Sequence, residues 1–458
     1  MIEKTHKIPH CQAHKLFSKL APHYQHKFIF ESKDVSHIYG RLSLIGIDPV
    51  LQITGKANHF EVKKLNSRGQ KFLDQIQLPE NDNQPSAEII RLFLKQFHTE
   101  KHTMLGLYGA FSYDFVRQFE KLNSTLPENE IPDFNLFLYD TFIFFDHLKE
   151  TSEIILYRET EEEITDTVDQ LTAQIAQDPQ AHEEYRITNA DFQMNQQEYE
   201  GLVEKAREYC AQGEIFEVVF SNVLEADFGG DPYSLYLKYR EINPSPYLYF
   251  FDFGEDQLVG ASPEMMVRCE NRQVHLRPIS GTARRGQDPI EDHENMLALL
   301  ADEKERSELD MLIDLGRNDL SRICKPKIKI SDYRFVEKYS QVMHTVAHLT
   351  GELQDDKTAF DALIATLNAG TLTGAPKIAA MNIIETHESS RRGYYGGTIG
   401  YLTFSGNMDT GIIIRTAHIT GNRLRFQVGA SLLYDSNPAA EYRETIGKAQ
   451  AFLNTFAS

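Results

Sequence analysis

Two stretches of the sequence carry carboxylates at helical spacing. In Asp302-Glu-Lys-Glu-Arg-Ser-Glu-Leu-Asp-Met-Leu-Ile-Asp-Leu-Gly-Arg-Asn-Asp319, residues Glu305, Glu308 and Leu312 share one face if the segment is helical. In Glu441-Tyr-Arg-Glu-Thr-Ile-Gly-Lys448, residues Glu441, Glu444 and Lys448 line up in the same way. Each pattern alone is common on solvated helix faces. Four carboxylates brought together from two helices, however, repel unless a cation stands between them. Mg²⁺ is the natural one, because it prefers oxygen and takes one or two carboxylates plus water and substrate oxygens.

Glycine-rich segments add groups that bind anions. Arg277-Pro-Ile-Ser-Gly-Thr282 and Gly370-Thr-Leu-Thr-Gly-Ala-Pro-Lys377 offer backbone N–H groups and hydroxyls. The second is no P-loop, since Lys377 follows Pro376 and the Gly-Lys-Ser/Thr ending is missing. With Tyr395, Gly396, Gly397, Arg415 and Gly429 in the same third of the chain, a carboxylate pocket with an arginine clamp and Mg²⁺ is a coherent reading.

The chain of 458 residues is 41% hydrophobic and 25% charged, which is ordinary globular composition. Its formal charge of −20 disfavours nucleic acid as a partner, so an anionic substrate must be met by local Arg, Lys or a bound cation. Cys11, Cys210, Cys269 and Cys324 form no Cys-x-x-Cys motif and read as free thiols of a reducing compartment. Met1 to His10 lacks an apolar signal core, and runs such as Tyr247–Phe251 are too short to span a membrane. The expectation is a cytoplasmic protein with no membrane partner.

The elements that position these residues read as mixed α and β. Phe28–Phe30, Ser43–Ile47, Leu51–Thr54, Asp133–Phe145 and Ile154–Tyr157 have strand character, with Gly40, Pro49 and Gly55 as breaks. Ser86–Glu100 reads as an amphipathic helix. The acidic stretch Glu159–Asp191, with Asp178-Pro179, reads as a surface helix plus connector and separates a lobe at 1–190 from a region at 191–458. Beyond it, Gln196–Gln212 reads as a helix stopped by Gly213, and Ile215–Phe220 as a strand. The early histidines His6, His10, His14, His23, His26 and His37 read as solvated surface residues rather than metal ligands.

Several segments together resemble the chorismate-utilising enzymes, and within them the anthranilate synthase large subunits (component I). They are Gly213-Glu-Ile-Phe-Glu-Val-Val219, Asn243-Pro-Ser-Pro-Tyr247, Gly260-Ala-Ser-Pro-Glu264, Arg277–Thr282, Asp314-Leu-Gly-Arg-Asn-Asp319, Val342-Met-His344, Gly370–Lys377, Tyr395-Gly-Gly-Thr-Ile-Gly400 and Asp409–Arg415. The likeness runs from about Asn195 onward, and is weaker in Phe30-Glu-Ser32, Gly109–Asp114 and Ile131–Phe134. It implies an α/β body (α+β type) of two intertwined lobes, with large antiparallel sheets packed face to face and helices outside. It implies chorismate as substrate, Mg²⁺ as cofactor, and ammonia adding to the ring as the C4 hydroxyl leaves, followed by loss of pyruvate. By position, Glu308 and Glu444 match the direct metal ligands, supported by Glu305 and Glu441. Glu264 matches the general acid and His344 the histidine of the elimination half. Gly281, Thr282, Thr371, Tyr395, Arg415, Gly429, Ala430, Ser431 and Lys448 match substrate-holding positions. Glu31-Ser32 and Pro246-Tyr247-Leu248 resemble the two sides of the tryptophan feedback site, where the Glu31 carboxylate and the Ser32 hydroxyl can receive the amino group and the Pro and Tyr faces pack the indole.

The sequence also departs from the family pattern. Glu217 stands where water-adding relatives carry a lysine base and amine-using ones usually a glutamine; a carboxylate there can bind ammonium and accept its proton. Ser280 is neither the alanine common in anthranilate synthases nor the lysine typical of aminodeoxychorismate synthases, and Ser431 replaces a small glycine-type residue. The competing readings are aminodeoxychorismate synthase component I, which keeps the pyruvyl group, and a catalytically silent tryptophan-binding regulator. No glutamine-cleaving segment is visible, so ammonia is expected from a separate glutamine amidotransferase subunit.

Overall fold

The computed structural model describes residues 1–33, 42–79, 84–178, 182–339 and 342–456. His37, Gly40 and Pro179 lie outside the described residues.

Among the described residues, two large sheets, of 12 and 11 strands, carry the fold, and every strand pairing in them is antiparallel. Both sheets mix early and late strands. Lys27–Glu31 pairs with Tyr247–Asp252 in the larger sheet, and Gly106–Phe111 pairs with Thr398–Thr403 in the smaller one. The two halves of the chain are therefore woven together. Aromatic residues fill the space between the sheets: Phe28 stacks on Tyr108 at 5.2 Å, and Phe137 meets Phe251 at 6.1 Å. Fully burying each such ring contributes roughly 1.5–3 kcal/mol. A second core lies on the outer face of the larger sheet, where helices Ala13–Leu20, Glu161–Ala176, Pro232–Ile242 and Pro438–Leu453 cover it.

Several elements differ from the sequence expectation. The stretch Asp133–Phe145 is two strands, Phe134–Tyr139 in the smaller sheet and Thr141–Asp146 in the larger. The chain changes sheets at Asp140, whose carboxylate is held by Arg68 at 2.8 Å and Arg158 at 3.1 Å. The helix at Ala87–Gln96 is shorter than expected, because beyond its cap at Phe97 the backbone turns away and Thr99 N–H donates to Phe404 O. The connector after Glu161–Ala176 contains the edge strand Arg186–Phe192, and the polar start of the chain forms strand Ile2–Ile8. His14 and His26 are not solvated: His14, on the first helix, places Nδ1 3.8 Å from Glu31, and His26 packs 5.1 Å from the Phe137 ring.

Candidate active site

The weave brings two sheet-crossing connections side by side. Pro263-Glu264 leads from strand Asp256–Ser262 of the larger sheet to Met265–Glu270 of the smaller. The stretch ending in Arg415 leads back, from Met408–Ile412 to Thr416–Thr420. Ile412 N–H donates to Glu264 O at 3.0 Å and Ala261 N–H to Arg415 O at 3.1 Å, so each connection fixes the other. Arg415 has φ of 51°, unusual for a residue with a side chain, and Tyr239 Oη also donates to its carbonyl. Among the described residues no carboxylate pairs with the Arg415 guanidinium, which faces a cavity of about 690 Å³.

Four strands, two long helices and the turn Gly370–Thr373 also line that cavity. Strand Glu217–Gly229 and strand Arg423–Leu432 pair with Val219 opposite Ser431, which sets Glu217, Val219, Gly429 and Ser431 on one face. Strand Ile279–Arg284 bulges against Val342–Glu352 between Ser280 and Ala283. Gly281, at φ +71°, provides the turn that the bulge needs. His344 sits against that bulge: its Nδ1 lies 2.8 Å from the Gly281 carbonyl and 3.1 Å from Thr282 Oγ1. A carbonyl only accepts, so Nδ1 carries the proton and Nε2 keeps its lone pair. Burial lowers the proton affinity of the ring and favours this neutral form.

The two carboxylate segments are helices. Glu303–Ser321 is capped by Asp302, which accepts from the N–H groups of Lys304 and Glu305, and Pro438–Leu453 is capped by Asn437. Glu305, Glu308, Glu441, Glu444 and Lys448 all line the cavity. Burial, reinforced by the charges of Glu305 and Glu217, pushes the Glu308 carboxyl up to about 7. Burial also raises Glu305 and Glu441, while Ser436 Oγ donates to Glu441 at 2.8 Å. Lys448 Nζ sits 2.9 Å from Glu444 and donates to Gly429 O at 2.9 Å. Ser280 Oγ is 3.4 Å from both Glu305 and Glu308 carboxylates. Among the described residues no three His, Cys, Asp or Glu side chains form a ready-made metal cage. An all-oxygen set carrying unbalanced negative charge nonetheless fits Mg²⁺, which uses few protein ligands and fills its shell with water and substrate oxygens.

Glu264 is a further acid of the cavity, half-buried in its wall. Burial pushes its carboxyl up to about 7, against the opposing effects of a 3.0 Å hydrogen bond from Thr371 Oγ1 and the charge of Lys448. Burial likewise raises Glu217. The Tyr395 hydroxyl lies so close to Gly429 that a Cβ there would stand 3.0 Å from it.

Of the expected site residues, Glu217, Glu264, Gly281, Thr282, Glu305, Glu308, His344, Thr371, Tyr395, Arg415, Gly429, Ser431, Glu441, Glu444 and Lys448 converge on this cavity. Ala430 does not: strand alternation turns its methyl group into the core with Tyr199 and Phe220. Lys304, Arg284 and Gln427 line the cavity and were not singled out from the sequence. Lys304 was findable, because it precedes Glu308 by one helical turn and lies 4.0 Å from it.

The Glu31 and Pro246 segments meet in the larger sheet, where Glu31 pairs with Leu248 and Ser32 Oγ donates to Pro246 O at 2.8 Å. Tyr247 Oη donates to Asp409 at 2.8 Å. The Glu31 carboxylate is already committed, to Arg240 Nε at 2.9 Å and to Tyr236 Oη at 2.5 Å. Although burial opposes it, hydrogen bonding from His14, the Arg240 charge and Tyr236 pull this carboxyl down to about 2. It is thus a bound counter-ion rather than the open acceptor expected from the sequence.

A profile described as chorismate binding enzyme matches residues 25–454, and the chain belongs to that family. Within the family, it is 37% identical to anthranilate synthase component 1 of Methanothermobacter thermautotrophicus over 451 residues, covering 98% of this chain and 93% of that one. It is 35% identical to anthranilate synthase component 1 of Aquifex aeolicus, covering 96% and 90%. The crystal structure of anthranilate synthase component I from Streptococcus pneumoniae TIGR4 superposes with a TM-score of 0.79 at 33% identity, covering 91% of this chain and 93% of that chain. MenF, the menaquinone-specific isochorismate synthase of Escherichia coli, shares the fold with a TM-score of 0.75 at 18% identity, covering 99% and 94%.

Proposed function

We propose that the chain is the large subunit of an anthranilate synthase, converting chorismate and ammonia to anthranilate and pyruvate in cytoplasmic tryptophan biosynthesis. Ammonia comes from a separate glutamine amidotransferase subunit (component II), Mg²⁺ is the cofactor, and tryptophan is a feedback inhibitor. The observation that carries the reading is the Glu264 carboxyl, raised by burial to about 7 and held by Thr371 in the same cavity as Arg415 and the two carboxylate helices.

The substrate is a dicarboxylate, and Arg415, Tyr395 and Lys448 are the groups suited to hold its anionic ends. In the first half, ammonia bonds to C2 of the ring while the C4–O bond breaks. Glu264 gives its proton to the departing oxygen, so that water leaves rather than hydroxide. Glu217, with proton affinity raised by burial, suits a group that takes a proton from incoming ammonium. In the second half the C2 proton is removed, the C3–O bond breaks, pyruvate departs and the ring aromatises. His344, neutral with its lone pair on Nε2, suits the base of that half. Glu308 and Glu444, supported by Glu305 and Glu441, would hold Mg²⁺, which would supply Lewis-acid stabilisation of charge on the ring carboxylate. For tryptophan, the Ser32–Pro246–Tyr247 contact joins strands from early and late in the chain, so a ligand there would bias their relative placement. Glu31 then acts through Arg240, which its carboxylate holds.

The test is one incubation of the purified chain with chorismate, Mg²⁺ and ammonium, read by anthranilate fluorescence and by mass. Anthranilate and pyruvate are expected with ammonium, and neither with glutamine alone. A product retaining the pyruvyl group would replace this reading with aminodeoxychorismate synthesis, and no turnover would leave a binding protein.

A further inference from the structure

A buried ion pair underlies one wall of the cavity. Arg392 and Glu388 are 3% and 7% exposed and lie four residues apart, just beyond the helix Lys377–His387. Arg392 donates to the two Glu388 oxygens, from Nε at 3.0 Å and from Nη2 at 2.6 Å. The rest of the guanidinium reaches outward. Nη1 donates to the Leu372 carbonyl at 2.5 Å and Nη2 to the Val219 carbonyl at 2.7 Å. Its carbon lies 5.6 Å from the centre of the Tyr395 ring. Val219, Leu372 and Tyr395 all line the cavity, so this one side chain ties together three parts of its wall.

The Leu372 contact has the sharpest consequence. Residues Gly370–Thr373 form a single helical turn, too short to satisfy its own carbonyls. Arg392 takes up one of them. The residue before it, Thr371, is the one whose hydroxyl donates to Glu264. Glu388 is anchored in turn, since its Oε1 accepts from the N–H and Oγ of Ser221 at 2.9 and 2.7 Å. A chain of directed contacts therefore runs from strand Glu217–Gly229 through Glu388 and Arg392 to the turn that carries Thr371. Only a planar fork can make these contacts at once; a lysine ammonium in the same place can hold the charge of Glu388 but not both carbonyls.

We propose that Arg392, oriented by Glu388, is a positioning residue for Glu264: it fixes the Leu372 carbonyl, thereby Thr371, and through Thr371 the carboxyl that gives up its proton. This rests on the reading that Glu264 is the acid, and predicts that Arg392 and Thr371 act as one unit.

The experiment compares Thr371→Val, Arg392→Lys and the double variant, each measured as chorismate consumption with Mg²⁺ and ammonium. Arg392→Lys is expected to lower kcat by about tenfold or more, the scale of a sub-ångström to 1 Å misplacement, while the chorismate KM moves less than about threefold. The double variant is expected to be no slower than the slower single one within about twofold, because the second change removes nothing further. Losses that multiply, or a loss confined to KM, would overturn the proposal. Arg158→Lys is the control for loosening a buried arginine, since Arg158 is 4% exposed and pairs with Asp140 away from the cavity. It should lower the melting temperature without the kcat loss; an equal kcat loss there also overturns the proposal. Should Arg392→Lys fail to fold, Glu388→Gln weakens the same hold and must show the same non-additivity with Thr371→Val. A product other than anthranilate would overturn the proposed function while leaving this coupling measurable, so the two failures are distinct.

Discussion

Replacing Glu264 by glutamine tests the site in two independent ways. The half-buried side chain lines the cavity, and its carboxyl is raised from its ordinary value of 4.5 to about 7, chiefly by desolvation. That difference corresponds to about 3 kcal/mol in favour of the neutral form. As an acid, the group works only while protonated, so the wild-type rate should fall as pH rises through about 7. Glu264→Gln keeps the size and the hydrogen bond to Thr371 but has no proton to give, and should lose roughly 10²- to 10⁴-fold in kcat. The stability consequence has a definite sign. Below pH 4.5 the carboxyl is protonated in both folded and unfolded chains and contributes no difference. Between pH 4.5 and about 7 the unfolded chain loses the proton first, which favours unfolding progressively. Above about 7 both are ionised and the penalty is constant, near 3 kcal/mol. Glutamine escapes it. The variant should therefore gain stability over wild type as pH rises from 5 to 7, with a level gap above, read by denaturant titration at fixed pH values. A variant that retains kcat within about tenfold would remove Glu264 from the chemistry. A stability gap that does not change with pH would refute the burial argument itself.

The remaining predictions concern the other groups of the cavity. Glu308→Gln or Glu444→Gln should abolish turnover and weaken Mg²⁺ binding measured directly by calorimetry, since each removes a charge and a ligand; normal Mg²⁺ affinity in both would overturn the metal assignment. Glu217→Gln should raise the ammonium KM or shift its pH dependence while chorismate KM stays close to wild type, and an unchanged ammonium profile would make Glu217 a bystander. Tryptophan should inhibit and raise the apparent chorismate KM, and Ser32→Ala should relieve inhibition while sparing activity, because it removes the contact to Pro246; wild-type turnover unchanged at saturating tryptophan would end the feedback assignment.

What could be read from the sequence was what depends on short-range spacing. The pairs Glu305/Glu308 and Glu441/Glu444 keep their face because helix geometry survives any tertiary arrangement, and the caps at Asp302 and Asn437 are local as well. Strands buried on at least one side, such as Leu42–Ile47 and Leu51–Lys56, announced themselves by apolar content. Edge strands did not. Ile2–Ile8 and Arg186–Phe192 are largely exposed and lack alternation, so nothing in their composition separates them from loop. The change of sheet at Asp140 was hidden inside a continuous apolar run, because both strands are buried and only the Arg68 and Arg158 contacts mark the break. The convergence of Glu264 with Arg415 was equally illegible from spacing, since it arises from two crossings between sheets that the residue types do not signal. The resemblance to a family supplied that pairing, while the structure supplied its cause. It also showed what resemblance could not: the Glu31 carboxylate is occupied, and Ala430 faces the core.

The electrostatics of the cavity bind these observations into one argument. The chain carries a net charge of −20, and its cavity gathers Glu217, Glu305, Glu308, Glu441 and Glu444 around Arg284, Lys304, Lys448 and Arg415. Glu217, Glu305, Glu308 and Glu441 all hold protons more tightly than an ordinary carboxyl, with burial as the largest cause. These carboxylates therefore favour protons or cations at the two helices. A dicarboxylate entering alone would add negative charge to that surplus, and Arg415 with Lys448 can offset it only in part. A divalent cation entering alone gains the carboxylates but leaves coordination positions to water. Each would improve the site for the other, and linkage requires the two affinities to rise by the same factor. The proposed acid, Glu264, is set apart from this exchange. It stands on a sheet crossing rather than on either carboxylate helix, and its carboxyl bonds to Thr371. Placing the proton donor on one structural unit and the metal-type carboxylates on another lets a bound cation lower the proton affinity of the helix acids while a direct hydrogen bond holds the donor in place.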